Sequence, residues 1–386
     1  MKYDLLVKGG LVVDPSQGIE AKRDVAVNGN TIAAVAQSLD SRDAQLTVDA
    51  QGMIVTPGLI DFHAHVYRHV KYNSVDPDTH CLLKGVTTVV DCGSAGANNF
   101  PGFKHYVIDS CQTRILAFLH VCDVGLTMGG GIGELEDLRH LDFERTVKVA
   151  QAYPNTIVGI KIRVPYEAVG VHGPQALRLA KEIARSTKLP LMVHPGSLPL
   201  NLSLAHVLSI LERGDIMTHC YPPPYPPQLP HPSIFDDDGQ VLSEMLSARK
   251  RGVFFDVGHG SNNFCWETAA QALQQQFLPD TISTDLTEPA TRTVIHDLPT
   301  VLSKFLHLGL SLSTVIKSAT MIPATILDMT DTLGTLRVGA EADIALFEWV
   351  HDEISLWDNI RSVRTQRTLS KRLSPRIVIK GGNVIE

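Results

Sequence analysis

Met53-Ile54-Val55-Thr56-Pro57-Gly58-Leu59-Ile60-Asp61-Phe62 runs directly into His63-Ala64-His65. An apolar run interrupted by a Pro-Gly turn reads as a buried strand. In an extended strand, residues two apart point the same way. Two imidazoles at the strand's end can therefore face one metal ion, and neutral imidazole is a common ligand for zinc and its first-row neighbours.

Four more polar residues end or interrupt short apolar runs. Lys161 lies within Ile157-Val158-Gly159-Ile160-Lys161-Ile162-Arg163-Val164, and His194 ends Leu189-Pro190-Leu191-Met192-Val193-His194. His219 ends Asp215-Ile216-Met217-Thr218-His219, and Asp285 ends Thr281-Ile282-Ser283-Thr284-Asp285. Near-continuous apolar runs suit parallel strands buried on both faces. Polar groups at the carboxyl ends of several such strands predict the active face of a (β/α)8 barrel.

Strands are expected near 59–62, 87–91, 115–120, 158–162, 191–194, 216–219, 253–256 and 281–284. Their spacing of about 25 to 45 residues suits βα units. Between them, 173–186 carries a stripe of Leu177, Ala180, Ile183 and Ala184 with charged residues off it, the pattern of an amphipathic helix. The segment 240–251 does the same with Val241, Leu242, Met245 and Leu246 and stops at Gly252. The two chain ends resemble each other. Lys8-Gly9-Gly10 and Lys380-Gly381-Gly382 each sit between β-rich runs, so each predicts a hairpin turn. With the strand-like stretch 339–347, they predict a small β domain built from both termini, with the barrel inserted.

The 386 residues include 44 % hydrophobic and 19 % charged side chains, and the formal net charge is −7. That composition is ordinary for a globular protein. It offers no basic footprint for nucleic acid, and no apolar stretch reaches membrane-spanning length. Six scattered cysteines form no Cys-x-x-Cys pair, and the amino terminus lacks a signal-peptide core. The expectation is a cytoplasmic protein with free thiols and neither a nucleic-acid nor a membrane partner; a homo-oligomer stays open. Gly129-Gly130-Gly131-Ile132-Gly133 lacks the Lys-Ser/Thr of a P-loop and reads as a barrel loop. The proline-rich run from Tyr221 to Pro232 reads as a stiff wall or lid.

In combination these motifs resemble the amidohydrolase superfamily, in its amidohydrolase/deacetylase or dihydroorotase-like subgroup. The resemblance rests on Thr56-Pro57-Gly58-Leu59-Ile60-Asp61-Phe62-His63-Ala64-His65, then Lys161, His194, His219 and Asp285 in order. Ser318-Ala319-Thr320-Met321-Ile322-Pro323-Ala324 and Gly339-Ala340-Glu341-Ala342-Asp343 also match family motifs. It implies an α/β chain: a TIM-like barrel over 56–334 and a β-sandwich domain from 1–55 plus 335–386. It further implies two divalent metal ions, commonly zinc. His63, His65 and Asp285 would hold the more buried ion, and His194 and His219 the more exposed one. Lys161 would bridge them as a carbamate formed with carbon dioxide. An ammonium has no lone pair to donate, whereas its carbamate is a bidentate carboxylate.

The resemblance and the ligand set together imply a metal-dependent hydrolase, with Asp285 carrying a proton from water to the leaving atom. The expected substrate is a small acylated acid: an acetylated hydroxy acid such as O-acetyl mandelate, or an N-acyl amino acid. A cyclic amidohydrolase is the alternative reading, and a non-catalytic scaffold is the alternative of another class. Dihydroorotases of the closest type carry Arg two residues past the second histidine, where this chain has Tyr67, with Arg68 next. Mononuclear deaminases lack the lysine. Arg163 shares a strand face with Lys161 and either clamps a substrate carboxylate or pairs with an acidic neighbour. Tyr221 and His259 either donate to the substrate carbonyl or support a loop, and Arg68 is a further candidate for the carboxylate.

Overall fold

The run that opens the motif divides between two sheets at Gly58. Ile54–Pro57 lies in a sheet built from both chain ends, and Leu59–Ala64 opens the barrel. A side-chain carbon at Gly58 would sit 2.2 Å from Thr87 Oγ1, so the close passage needs glycine. The computed structural model describes residues 1–129, 133–224, 232–361 and 364–385.

Seven parallel strands pair in chain order: Leu59–Ala64, Val86–Gly96, Arg114–His120, Ile157–Arg163, Leu191–His194, Ile216–Met217 and Phe254–Phe255. They form the curled sheet of a TIM-like barrel. The eighth predicted strand, 281–284, is replaced by isolated bridges from Thr281 to Asp256 and from Leu286 to Ala64. The physical reason lies in its hydroxyls. Thr281 and Ser283 each donate to Asp256 Oδ1 at 2.6 Å, and Thr284 donates to Asp61 Oδ2 at 2.6 Å. Side-chain bonds of this kind compete with a regular ladder.

The terminal sheet runs in the order Asn383–Ile385, Arg372–Lys380, Ile344–Val350, Ile54–Pro57, Tyr3–Asp14, Ile19–Asn28 and Thr31–Ala36, with Ala44–Asp49 also paired to Tyr3–Asp14. It buries Leu5, Val7, Val25, Val55, Ile344 and Leu346 in one cluster. A separate hairpin pairs Ile354–Trp357 with Gln366–Leu369. The two Lys-Gly-Gly segments part company. Lys380-Gly381-Gly382 turns between strands as predicted. Lys8-Gly9-Gly10 instead lies inside the strand Tyr3–Asp14, as a register shift between Val7 and Gly10. Asp24 holds it there by accepting from Gly9 N at 2.8 Å and Lys8 Nζ at 3.0 Å.

The helix Gly173–Thr187 buries Leu177, Ala180, Ile183 and Ala184, the predicted stripe. Ser243–Arg251 begins later than the pattern suggests, because Val241 bridges to Phe235. It ends at Gly252 in the left-handed conformation, as expected of a glycine stop. Among the described residues no helix is long and apolar enough to cross a membrane.

Candidate active site

His63, His65, Lys161, His194 and Asp285 line one cleft of about 470 Å³ at the barrel mouth. His219 joins them through His194: its Nε2 lies 2.9 Å from His194 Nδ1. His63, His65 and Asp285 form a cluster whose ligand atoms lie within 4.8 Å of one another. Asp285 Oδ1 is 3.1 Å from His65 Nε2 and 3.6 Å from His63 Nε2.

The outer ring nitrogens are tied to the protein, which turns lone pairs inward. His63 Nδ1 donates to Asp256 Oδ2 at 3.2 Å, and His219 Nδ1 donates to the Gly258 carbonyl at 2.6 Å. Each bond leaves Nε2 unprotonated and aimed at the cluster. His65 Nδ1 lies 2.9 Å from Ser94 Oγ. Burial, reinforced by neighbouring positive charges, pushes His65 and His194 well below the ordinary imidazole range. Burial takes His219 down to about 3. Neutral imidazoles packed this closely are ready to share a cation.

Two of the seven described non-glycine residues with positive φ belong to this cluster. His219 and Asp285 both adopt positive φ, at 61° and 49°, a conformation that side chains of this size pay for and that clusters at functional sites. The glycines flanking His259 allow a close approach, and what they approach is the cluster itself. A carbon added at Gly258 would lie 2.8 Å from His219 Nδ1, and one at Gly260 would lie 2.5 Å from Asp285 Oδ2. Asn263 Nδ2 reaches Asp285 Oδ2 at 3.3 Å. Burial alone would raise the Asp285 carboxyl, but the surrounding histidines outweigh it and hold the group ionised. Behind the site, burial pushes Asp61 up to about 7.

Lys161 is the test of whether this set fits a metal pair. It is buried, and among the described residues its Nζ finds only His63 Nε2 at 3.4 Å and Met192 Sδ at 3.3 Å. The imidazole contact is long and the thioether is a weak acceptor, and burial lowers the amine's pKa. Gly93 makes room for the chain, since a carbon there would lie 2.8 Å from Lys161 Cγ. His120, paired in register with Lys161, leaves its buried Nε2 without a partner among the described residues. An under-satisfied lysine and inward lone pairs fit the donor set of a bridged metal pair; His120 Nδ1 accepts from Cys122 N at 3.0 Å, so its unpartnered Nε2 is an N–H available to an oxygen of the lysine's carbamate.

The expected substrate contacts separate. Arg163 lines the cleft but pairs with Glu134 at 2.5 Å and lies 3.7 Å from Glu167, so the acidic-neighbour alternative describes it. Tyr221 is buried outside the wall and donates to the Phe277 carbonyl at 2.7 Å. His259 is buried too; its Nδ1 donates to Gly260 O at 2.9 Å and its Nε2 accepts from Lys304 at 2.8 Å. Both carry loop-supporting contacts, their satisfied polar atoms being turned into the core. Arg68 pairs with Asp76 and faces a different groove, beside Tyr67 and Tyr106. Residues 130–132 of the glycine run and 225–231 of the proline run lie outside the described residues.

The sequence reading passed over Lys71, Asn73, Glu134 and Asn263 in the wall. One signal was available for the first two: their loop directly follows the His63-Ala64-His65 strand end, where barrel enzymes place functional groups.

Residues 54–385 match the amidohydrolase family, and the chain belongs to that family. It is a metal-dependent hydrolase. A deacetylase from Brucella anthropi is 32 % identical over 367 residues, covering 95 % of this chain and 88 % of the relative. A deacetylase from Enterococcus faecalis is 31 % identical, with 100 % of both chains covered. A crystal structure described as an adenine deaminase superposes with a TM-score of 0.88 at 30 % identity, again over 100 % of both chains.

Proposed function

We propose that this protein is a deacetylase-like hydrolase that cleaves the acyl ester or amide of a small acylated acid. The observation that carries the proposal is the gathering of inward-facing imidazoles, Asp285 and the under-satisfied Lys161 in one polar cleft. The full-length likeness to deacetylases supports the acyl substrate.

His63, His65, His194, His219, Asp285 and Lys161 as its carbamate would hold two divalent ions, with zinc the first choice for nitrogen and oxygen donors. Bound there, the ions supply Lewis acidity toward a carbonyl and lower the pKa of water. The chain's own residues do the rest. Asp285 accepts a proton from water and returns it to the leaving oxygen or nitrogen. Asn263 and the left-handed backbone fix the carboxylate for that transfer. Ser261, Asn262 and Asn263 supply neutral polar contacts along the wall. Residues 56–334 carry the chemistry, and 1–55 with 335–386 form the supporting β domain, which lends Ile360 and Arg361 to the cleft. Six free thiols suit a reducing cytoplasm.

The test is a side-by-side turnover assay of O-acetyl hydroxy acids, N-acetyl amino acids and cyclic imides, with metal analysis of the same preparation. Faster hydrolysis of the acetylated acids and about two ions per chain, as in two-metal sites, are the expected result. Preferred ring opening of cyclic imides overturns the substrate assignment. A metal-free, inactive chain restores the scaffold reading.

A further inference from the structure

The loop after the first barrel strand folds back on the site. Val75 N donates to the His65 carbonyl at 3.0 Å, Lys71 N to Tyr67 O at 3.0 Å, and Ser74 N to Lys71 O at 3.0 Å. Glu288 N donates to Asn73 O at 2.8 Å, which pins the loop to the segment just beyond Asp285. Lys71 is thereby held as part of the wall, only 6 % exposed, with its side chain lining the cleft.

Its charge has no dedicated counterion. Lys71 Nζ donates to Asn73 Oδ1, a neutral acceptor. Among the described residues no carboxylate lies within ion-pair distance of it, whereas Arg163 in the same wall has Glu134 at 2.5 Å. An ammonium offers three N–H groups, and burying one against a neutral amide is costly. Burial lowers the amine to about 8, with Asp285 and Asp91 opposing the shift.

We propose that Lys71 receives the substrate's carboxylate. The inference rests on the acylated-acid reading above. Lys71 and Asp285 line the same cleft. In the reaction, the water oxygen bonds to the acyl carbon and the acyl C–O or C–N bond breaks. The proton that Asp285 took from the water passes to the leaving atom, giving acetic acid and the free hydroxy or amino acid.

Calorimetric titration of the metal-loaded protein with mandelate and with methyl mandelate tests this. Lys71→Met is expected to weaken mandelate at least about tenfold, the loss of a hydrogen bond to a charged group, and to leave the ester unchanged. Lys71→Gln, which keeps a polar partner for Asn73, gives the same split and guards against misfolding. Arg163→Met/Glu134→Gln, which removes that ion pair together, keeps the acid preference. Equal weakening of both probes by Lys71→Met, or a wild-type protein that does not distinguish acid from ester, overturns the assignment. Failure of the deacetylase reading shows differently: no turnover of acetyl esters or amides, while Lys71→Met still selectively weakens mandelate.

Discussion

Lys161 and Lys304 are both fully buried, yet the fold treats them in opposite ways. Lys304, on the helix Leu298–His307, donates to His259 Nε2 at 2.8 Å, Val294 O at 2.8 Å and Trp357 O at 2.7 Å. Three N–H groups meet three acceptors on three segments, so the ammonium is satisfied where it lies. Through these bonds it joins the loop beside Asp285 to the C-terminal hairpin, where Ile360 N also donates to Ser261 O at 2.9 Å. Among the described residues Lys161 has only a thioether and one long imidazole contact at 3.4 Å, with no carbonyl. A buried lysine with good acceptors is a joint of the fold. One without them is poorly suited to remain an ammonium.

The contrast breaks most sharply at Lys161. Lys161→Ala is expected to lose nearly all turnover and at least one ion, with partial recovery on adding short carboxylic acids that stand in for the carbamate. Turnover assays and metal analysis check this; full ion content with normal turnover in the variant removes the contrast. Asp285→Asn comes next, with a loss of roughly 10²–10⁴-fold in turnover, the usual cost of removing a general base. Its ion content should fall less than that of Lys161→Ala. A folded Asp285→Asn protein with wild-type turnover shows that another group moves the proton.

Lys304→Met sharpens the other side, with the smallest effect. It leaves three acceptors unpaired but no longer buries a charge, and a net loss of about 1–3 kcal/mol in unfolding free energy is expected. Burial lowers Lys304 from the ordinary 10.5 to about 7. Between those values the unfolded chain binds more protons than the folded one, so this group makes stability rise with pH across the window. Denaturant melts between pH 7 and 10 should show that rise reduced in Lys304→Met. An unchanged slope would mean that Lys304 keeps an ordinary amine pKa in the fold.

Legibility in the sequence followed locality. The strand-end histidines that gather at the cleft were readable because an apolar run ending in a histidine needs only its own residues to define a buried strand and its exit. The stripe of 173–186 was readable for the same reason, since a helix face is set by spacing within one segment. The eighth strand was misread because Asp256 and Asp61, distant in the chain, capture its hydroxyls. Lys8-Gly9-Gly10 was misread because Asp24, from the neighbouring strand, stabilises a bulge where the tripeptide alone suggests a turn.

By itself the sequence determined the order and spacing of the histidines, lysine and aspartate that meet at the cleft, the helical stripe and the β-rich character of both ends. Those properties depend on backbone periodicity and on which side chains avoid water. Only the tertiary structure decided which cation in the cleft already has a carboxylate partner. Arg163 and Glu134 are 29 residues apart and form an ion pair, whereas Lys71 has no counterion among the described residues. Pairing and burial of charges depend on groups that the chain brings together only on folding.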